Sequence, residues 1–258
     1  MVLPESRNPE YIAKLIEKYH IQILPVSPTF LNMMLMNQVQ KKYDLSSLRM
    51  ITYGTESMPE SLLKKLRFVF PKTKLLQTFG TSETGISKTS SRSSHSLDIK
   101  LDPLVSEHKV IDGQLWLKSK TQIVGYLNAS MRDFSEDGWF ATGDLVEELK
   151  DGYIRIKGRL NEVINVGGEK VMPAEVESVV LELDEVEDCL AYGQFNSITG
   201  QMVAVKIVAK NNVDSKDLRS LIRRHCKSKL DSYKIPVKVE LLDKLAYSDR
   251  FKKMRNNQ

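Results

Sequence analysis

Asp137-Gly138-Trp139-Phe140-Ala141-Thr142-Gly143-Asp144, followed by Gly158-Arg159-Leu160-Asn161-Glu162 and by Asn165-Val166-Gly167-Gly168-Glu169-Lys170-Val171-Met172-Pro173-Ala174-Glu175-Val176-Glu177, marks where the residue pattern of this chain changes character. Before the change, over 97–158, short alternating segments such as Gln114-Leu115-Trp116-Leu117-Lys118 and Tyr153-Ile154-Arg155-Ile156 are joined by Gly-containing turns at Asp112-Gly113 and Asp151-Gly152. They predict a small β-barrel-like subdomain. After Gly158-Arg159 the pattern returns to α+β. It predicts a helix from Pro173 to Leu183, strands near Asp188 to Phe195 and Met202 to Ala209, a helix from Ser215 to Lys229 and a last strand from Val237 to Leu242. The segment 162–258 is long enough to be a domain of its own.

Upstream, helix and strand alternate. Asn8-Pro9 caps and starts a helix through Tyr11, Ile12, Leu15 and Ile16, and Ile21 to Val26 is a short apolar strand stopped by Ser27-Pro28. A second unit repeats the plan, with a helix from Thr29 to Gln40, a strand from Leu48 to Thr52, a helix from Pro59 to Phe68 and a strand from Lys74 to Thr78. This alternation predicts a partial parallel α/β layer over 1–96, with its ligand loops at the strand ends.

A chain of 258 residues with 41% hydrophobic content can bury ordinary cores in one or two domains. No run of eighteen apolar residues occurs, and the N-terminus carries a Pro and charges where a secretory signal needs an apolar core, so the expectation is a cytoplasmic protein without a membrane span. Cys189 and Cys226 are too few and too far apart for a metal or disulfide pattern. The net charge of +5 is spread along the chain, which reads as a solvated surface and not as a nucleic-acid footprint.

The opening blocks, together with Phe79-Gly80-Thr81-Ser82-Glu83 upstream, resemble the signatures of the adenylate-forming family that includes acyl-CoA synthetases, aryl-acid ligases, peptide-synthetase adenylation domains and luciferases. The resemblance covers nearly the whole chain, but only the C-terminal part of the family pattern. The family's Ser/Thr/Gly-rich phosphate loop is missing, and Lys88-Thr89-Ser90-Ser91-Arg92-Ser93-Ser94-His95, with no glycine to let amides converge on a phosphate, reads as a solvated loop. The resemblance implies that 1–158 is the end of the large AMP-binding domain, that 159–161 is a hinge, and that 162–258 is a mobile α+β lid.

The chemistry so implied is attack of a carboxylate on the α-phosphate of ATP, giving an acyl-adenylate, followed by displacement of AMP by a thiol. Both steps gather negative charge, which positioned cations, hydroxyls and Mg2+ offset. By resemblance, Glu83 holds Mg2+, Ser82 offers its hydroxyl to the α-phosphate, Phe79 lies against adenine, and Gly80 is a further cofactor-binding position. Gly54, Thr55 and Glu56 sit where the family has an adenine-facing loop. Asp144 accepts hydrogen bonds from both ribose hydroxyls, and Arg159 reaches the same ribose and phosphates from the domain boundary. Asn161 matches the hinge position, and Gly167 and Gly168 would line a pantetheine channel. Read without the resemblance, Thr81-Ser82-Glu83 is a helix cap, Gly54-Thr55 a strand-to-helix turn, and 165–172 a plain loop.

The family ends in a Thr-x-x-Gly-Lys pattern whose Lys bridges carboxylate and α-phosphate. Ser248-Asp249-Arg250-Phe251-Lys252-Lys253 aligns with it, placing Lys252 on the Lys and Phe251 on the glycine, with Lys253 as a substitute and a basic solvated tail as the bland reading. The expectation is a partial adenylate-forming ligase using ATP/AMP, Mg2+ and coenzyme A or phosphopantetheine. Its partners would be a carboxylic acid, CoA or a carrier protein, and a separate N-terminal portion. Lacking the phosphate loop, 1–258 is expected to be inactive alone. A non-catalytic binding module or relic of the same fold is the competing expectation.

Overall fold

The computed structural model describes residues 1–210, 213–248 and 253 of the chain. The fold starts where the sequence says it should: Asn8 Oδ1 accepts the amides of Glu10 at 2.8 Å and Tyr11 at 3.3 Å, launching α1 (Pro9–Tyr19). Then follow β1 (Ile23–Val26), α2 (Pro28–Met36), α3 (Val39–Lys42), β2 (Met50–Tyr53), α4 (Glu60–Val69) and β3 (Lys74–Gln77). The helix expected from Thr29 to Gln40 is two, because the backbone turns left-handed at Gln38, with φ of 50°. The strands are parallel in the order β1-β2-β3, and Ile16, Leu31, Met34, Ile51, Leu63 and Leu66 are buried in the core of this layer.

Two readings of the next stretch are corrected. Thr81-Ser82-Glu83 caps no helix; it turns a hairpin between β4 (Phe79–Thr81) and β5 (Gly85–Ser87), with Thr81 Oγ1 accepting the Thr84 amide at 3.0 Å. The 88–95 segment is not a solvated loop but contains β6 (Thr89–Ser91). Its hydroxyls serve the open edge of β3: Thr89 Oγ1 donates to Gln77 O at 2.7 Å, while Ser91 and Ser94 Oγ accept the amides of Gln77 and Leu75 at 3.1 and 3.0 Å. Periodicity cannot see such a pairing, since the residues are polar throughout.

β6 then opens a six-stranded antiparallel sheet with β7 (Asp98–Leu101), β8 (Ser106–Ile111), β9 (Gln114–Ser119), β10 (Phe140–Glu148) and β11 (Ile154–Arg159), in the order β6-β7-β11-β10-β9-β8. Ile99, Leu101, Leu115, Leu117 and Val146 fill its core with Phe79. The expected turn at Asp112-Gly113 joins β8 to β9.

Beyond a 3-10 turn over Leu160–Glu162, β12 (Ile164–Val166) and β13 (Glu169–Val171) form a hairpin across Gly167-Gly168, where the sequence reading saw a plain loop. A two-residue Gly-Gly link between paired residues was the missed signal. α5 (Pro173–Val180), β14 (Val186–Asn196), β15 (Gly200–Ala209), α6 (Ser215–Lys227) and β16 (Lys238–Leu242) complete the α+β segment, each close to expectation. β14 and β15 are antiparallel, and β16 joins β15 in parallel. Val176, Val180, Val205, Ile207 and Ile222 pack there around the free thiols Cys189 and Cys226, whose pKa values burial pushes up, that of Cys226 to about 11. The mixed α/β architecture predicted from the sequence is thus observed, and among the described residues no helix is long and apolar enough to cross a membrane.

Candidate functional site

The parallel strands β2 and β3 end side by side at Tyr53 and Gln77, and the loops that leave them form the floor of a cleft. Gly54 must be glycine here: a Cβ would stand 2.7 Å from both Thr78 O and Thr78 Oγ1, because Tyr53 O already accepts the Thr78 amide at 2.7 Å and draws the two loops together. Thr55 follows in a left-handed conformation, φ 72°, which turns the chain so that Glu56 reaches back to α2. Glu56 Oε1 accepts the amide of Thr29 at 2.7 Å, in the first turn of a helix capped by Ser27. Burial raises the pKa of Glu56, and the Thr29 hydrogen bond works against that rise.

Gly54, Thr55, Glu56, Phe79, Gly80, Asp144 and Arg159 all line this one cleft. Those seven sequence-derived positions are therefore brought together from the loop after β2, from β4 and from the six-stranded sheet. Asp144 and Arg159 are direct partners in the β10–β11 register. Arg159 Nε lies 2.9 Å from Asp144 Oδ1, and its Nη1 donates to Thr142 O at 2.9 Å. The Asp144 amide donates to Thr142 Oγ1 at 3.1 Å, and that hydroxyl donates onward to Leu115 O at 2.8 Å, so the acid is tied to the sheet through its own turn.

The remaining positions lie elsewhere. Ser82 is exposed at the β4–β5 turn, and Glu83, half-buried beside it, accepts the Tyr126 hydroxyl at 2.9 Å; neither lines the cleft. Gly167 and Gly168 turn the β12–β13 hairpin, also outside the cleft lining. Lys252 lies outside the described residues, whereas Lys253 lines the cleft. No group of three or more His, Cys, Asp or Glu among the described residues could hold a metal unaided.

Several cleft residues escaped the sequence reading. Gln77 is 4% exposed, and its Oε1 has no hydrogen-bond partner among the described residues. Its position directly before Thr78-Phe79-Gly80 was the available signal. Asn32, Glu162 and Glu177 also line the cleft, and nothing in a helix-surface acid such as Glu177 separates it from a solvated one before folding. The C-terminal segment reaches the first layer through polar contacts: Lys65 Nζ donates to Leu181 O at 2.8 Å, at the end of α5, and Asn32 Nδ2 to Glu187 O at 3.3 Å.

Comparison with known proteins identifies a family. The AMP-binding enzyme profile matches residues 1–124, and that of the AMP-binding enzyme C-terminal domain matches 175–252. Among similar proteins, Acyl-CoA synthetase 7 of Caenorhabditis elegans is 30% identical over 95% of this chain and 48% of its own length. Long-chain-fatty-acid–CoA ligase FadD13 of Mycobacterium tuberculosis is 32% identical over 82% of this chain and 44% of its own. The anthranilate CoA ligase AuaEII, solved with anthranoyl-AMP, superposes with a TM-score of 0.79 at 22% identity, covering 98% of this chain and 52% of that one. The chain thus spans about half the length of the relatives it matches. With one profile matching 1–124 and the other 175–252, the chain belongs to the AMP-binding enzyme family.

Proposed function

We propose that this chain forms the adenosine-binding part of a carboxylic acid:CoA ligase. The observation that carries the reading is the pairing of Asp144 with Arg159 in the lining of a cleft that Gln77 also lines, its Oε1 a buried acceptor with no partner among the described residues. A buried acceptor left unmatched is costly, and a ligand amine in the cleft would offset that cost. Adenine supplies such an amine, and the ribose hydroxyls supply donors for Asp144.

In this reading Phe79 and the Gly54-Thr55 loop bracket the base, and Arg159, held to Asp144 and Thr142 O, offers its outer edge to phosphate. Ser82 and Glu83 act from the hairpin rim, Ser82 as a hydroxyl donor to the α-phosphate and Glu83 as a magnesium ligand. Mg2+ is bound through one or two carboxylates plus substrate phosphates, so the single carboxylate of Glu83 fits it, and the ion would neutralise phosphate charge. Lys252 is proposed as the cation shared by carboxylate and α-phosphate. The names of the relatives, acyl-CoA and fatty-acid–CoA ligases, support CoA as thiol acceptor. Residues 1–158, 159–161 and 162–258 are proposed as large-domain portion, hinge and lid.

Titration calorimetry of 1–258 with AMP and GMP tests the reading, since Gln77 Oε1 accepts from an amine and repels the guanine carbonyl. AMP binding with GMP discriminated against is expected, and no AMP binding would overturn it. Because 1–258 contains no phosphate loop, acid-dependent ATP–pyrophosphate exchange is expected only from a protein or complex that supplies one.

A further inference from the structure

The far end of the described chain closes onto one buried carboxylate. Asp188 sits at an irregularity in the β14–β15 register, between Val186 and Asp188, and such a bulge re-aims a side chain that strict alternation would send elsewhere. Its Oδ1 lies 2.7 Å from Lys253 Nζ, and its Oδ2 accepts the Tyr247 hydroxyl at 2.5 Å. Lys253 Nζ also donates to Cys189 O at 2.6 Å. Tyr247 and Lys253 are themselves antiparallel bridge partners, and Leu245, just upstream, is buried with Leu190 and Val208. Asp188 is 1% exposed, and the Lys253 side chain 10%. Burial opposes the ammonium charge, but Asp188 and Glu177 outweigh it and hold the Lys253 pKa above the usual lysine range.

A buried ion pair contributes little net stability for its desolvation cost, and its best-attested use is to impose one arrangement where several would pack equally well. Leu190, Val208 and Leu245 form a small apolar cluster separate from the main one of the C-terminal segment. What the ion pair fixes is the placement of Lys253 in the cleft lining that also includes Asp144 and Arg159.

The geometry points to Asp188 as a positioning residue: with Tyr247 it clasps Lys253, and thereby holds that cation in the lining of the cleft where a ligand phosphate lies. This rests on the adenosine-binding reading above. Lys253 Nζ is fixed by Asp188 and Cys189 O, so its charge stands at one place in the cleft lining. Asp188 does not line the cleft and acts only through the lysine it holds.

The test uses chain 1–258 and its Asp188→Asn, Tyr247→Phe and Lys253→Met variants. Brief acetic anhydride labelling read by mass spectrometry compares Lys253 with the exposed Lys14. Wild-type Lys253 should react at least about tenfold slower, since each pKa unit alone removes that factor of free amine, and Asp188→Asn should bring it near Lys14. Calorimetry then measures AMP against adenosine. The clasp predicts that Asp188→Asn and Lys253→Met lower the AMP-over-adenosine preference by about tenfold with adenosine affinity unchanged, a split that general unfolding would not produce. Tyr247→Phe, the mildest change, should move both readouts in the same direction by less and covers the case in which Asp188→Asn fails to fold.

A Lys253 that reacts like Lys14 in the wild type overturns the clasp. A variant set that frees Lys253 but leaves the AMP preference intact overturns the positioning role. Failure of the wild type to bind either ligand, with Lys253 protected, sinks the adenosine reading and the positioning role together while leaving the clasp as a structural contact.

Discussion

Arg159 Nε stands 2.9 Å from Asp144 Oδ1 at directly opposed positions of β10 and β11. The two differ sharply in exposure, 8% for the Asp144 side chain and 48% for that of Arg159, so the acid is the fixed element and the guanidinium the rim of the cleft. A carboxylate in that setting can accept two hydroxyl hydrogen bonds without reorienting, which is what a ribose offers. Asp144→Asn keeps the shape and loses the charge, and is expected to weaken adenosine binding by about 1.5–3 kcal/mol, the range for hydrogen bonds to a charged group. The same variant should bind adenosine and 2′,3′-dideoxyadenosine equally well, whereas the wild type prefers adenosine. Calorimetry that finds the preference undiminished removes Asp144 from the ribose site.

How much of this was legible beforehand depended on what kind of interaction each residue makes. Asn8, Pro9 and the Asp112-Gly113 turn act on their own neighbours, so they could be read directly, and the structure has them as expected. The cleft positions from Gly54 to Arg159 were legible only as ordered blocks, because each alone is an ordinary turn residue. The Thr89, Ser91 and Ser94 hydroxyls and the bulge at Asp188 serve partners distant in sequence or depend on register, and no local pattern carries that information.

Lys252 tests the chemistry most directly. In an enzyme supplied with its phosphate loop, Lys252→Ala is expected to damage adenylation far more than thioester formation from a supplied acyl-adenylate. One positioned cation at the reacting phosphate is worth about 3 kcal/mol, comparable with an oxyanion donor. Equal losses in the two half-reactions would take Lys252 off the catalytic list. Lys253 is then no simple understudy, since its ammonium is already bound to Asp188.

Asp98 gives the fold a defined acid sensitivity. Burial acts to raise its pKa, but hydrogen bonds from Arg155 and Ser96 and the charges of Arg155 and Arg92 prevail, so the folded value lies below the ordinary 3.8. A depressed folded pKa contributes stability that is fully present above the unfolded value and is lost as pH falls through the folded one. The window is therefore below 3.8. Asp98→Asn should cost about 1–2 kcal/mol near neutrality, discounted because Arg155 is partly exposed, and should flatten the acid limb. Urea melts from neutral pH downward should show the variant and wild type converging at the acid end; a constant gap would assign the effect to packing.

A hinge at 159–161, as proposed, would let one lid serve both proposed reaction steps. Each of the four apolar clusters lies wholly on one side of it, and Asn161 is exposed in the 3-10 turn. The bodies nevertheless touch closely: Gly158 is buried with φ 149°, a conformation L side chains rarely adopt, and the tip of Met172 lies so near that a Cβ there would stand 2.5 Å from its Cε. The prediction is a rotation about Leu160-Asn161 that exchanges the polar contacts of Lys65 and Asn32 for others while both cores stay intact. Asn161→Pro fixes φ at that residue and should leave the thermal melt within about 0.5 kcal/mol of wild type while slowing the second half-reaction of a complete enzyme. Limited proteolysis should nick near 160 before either body is cut. Cleavage that begins inside the six-stranded sheet, or a proline variant that unfolds, would show that the two segments are one cooperative unit and that a single lid orientation must serve both steps.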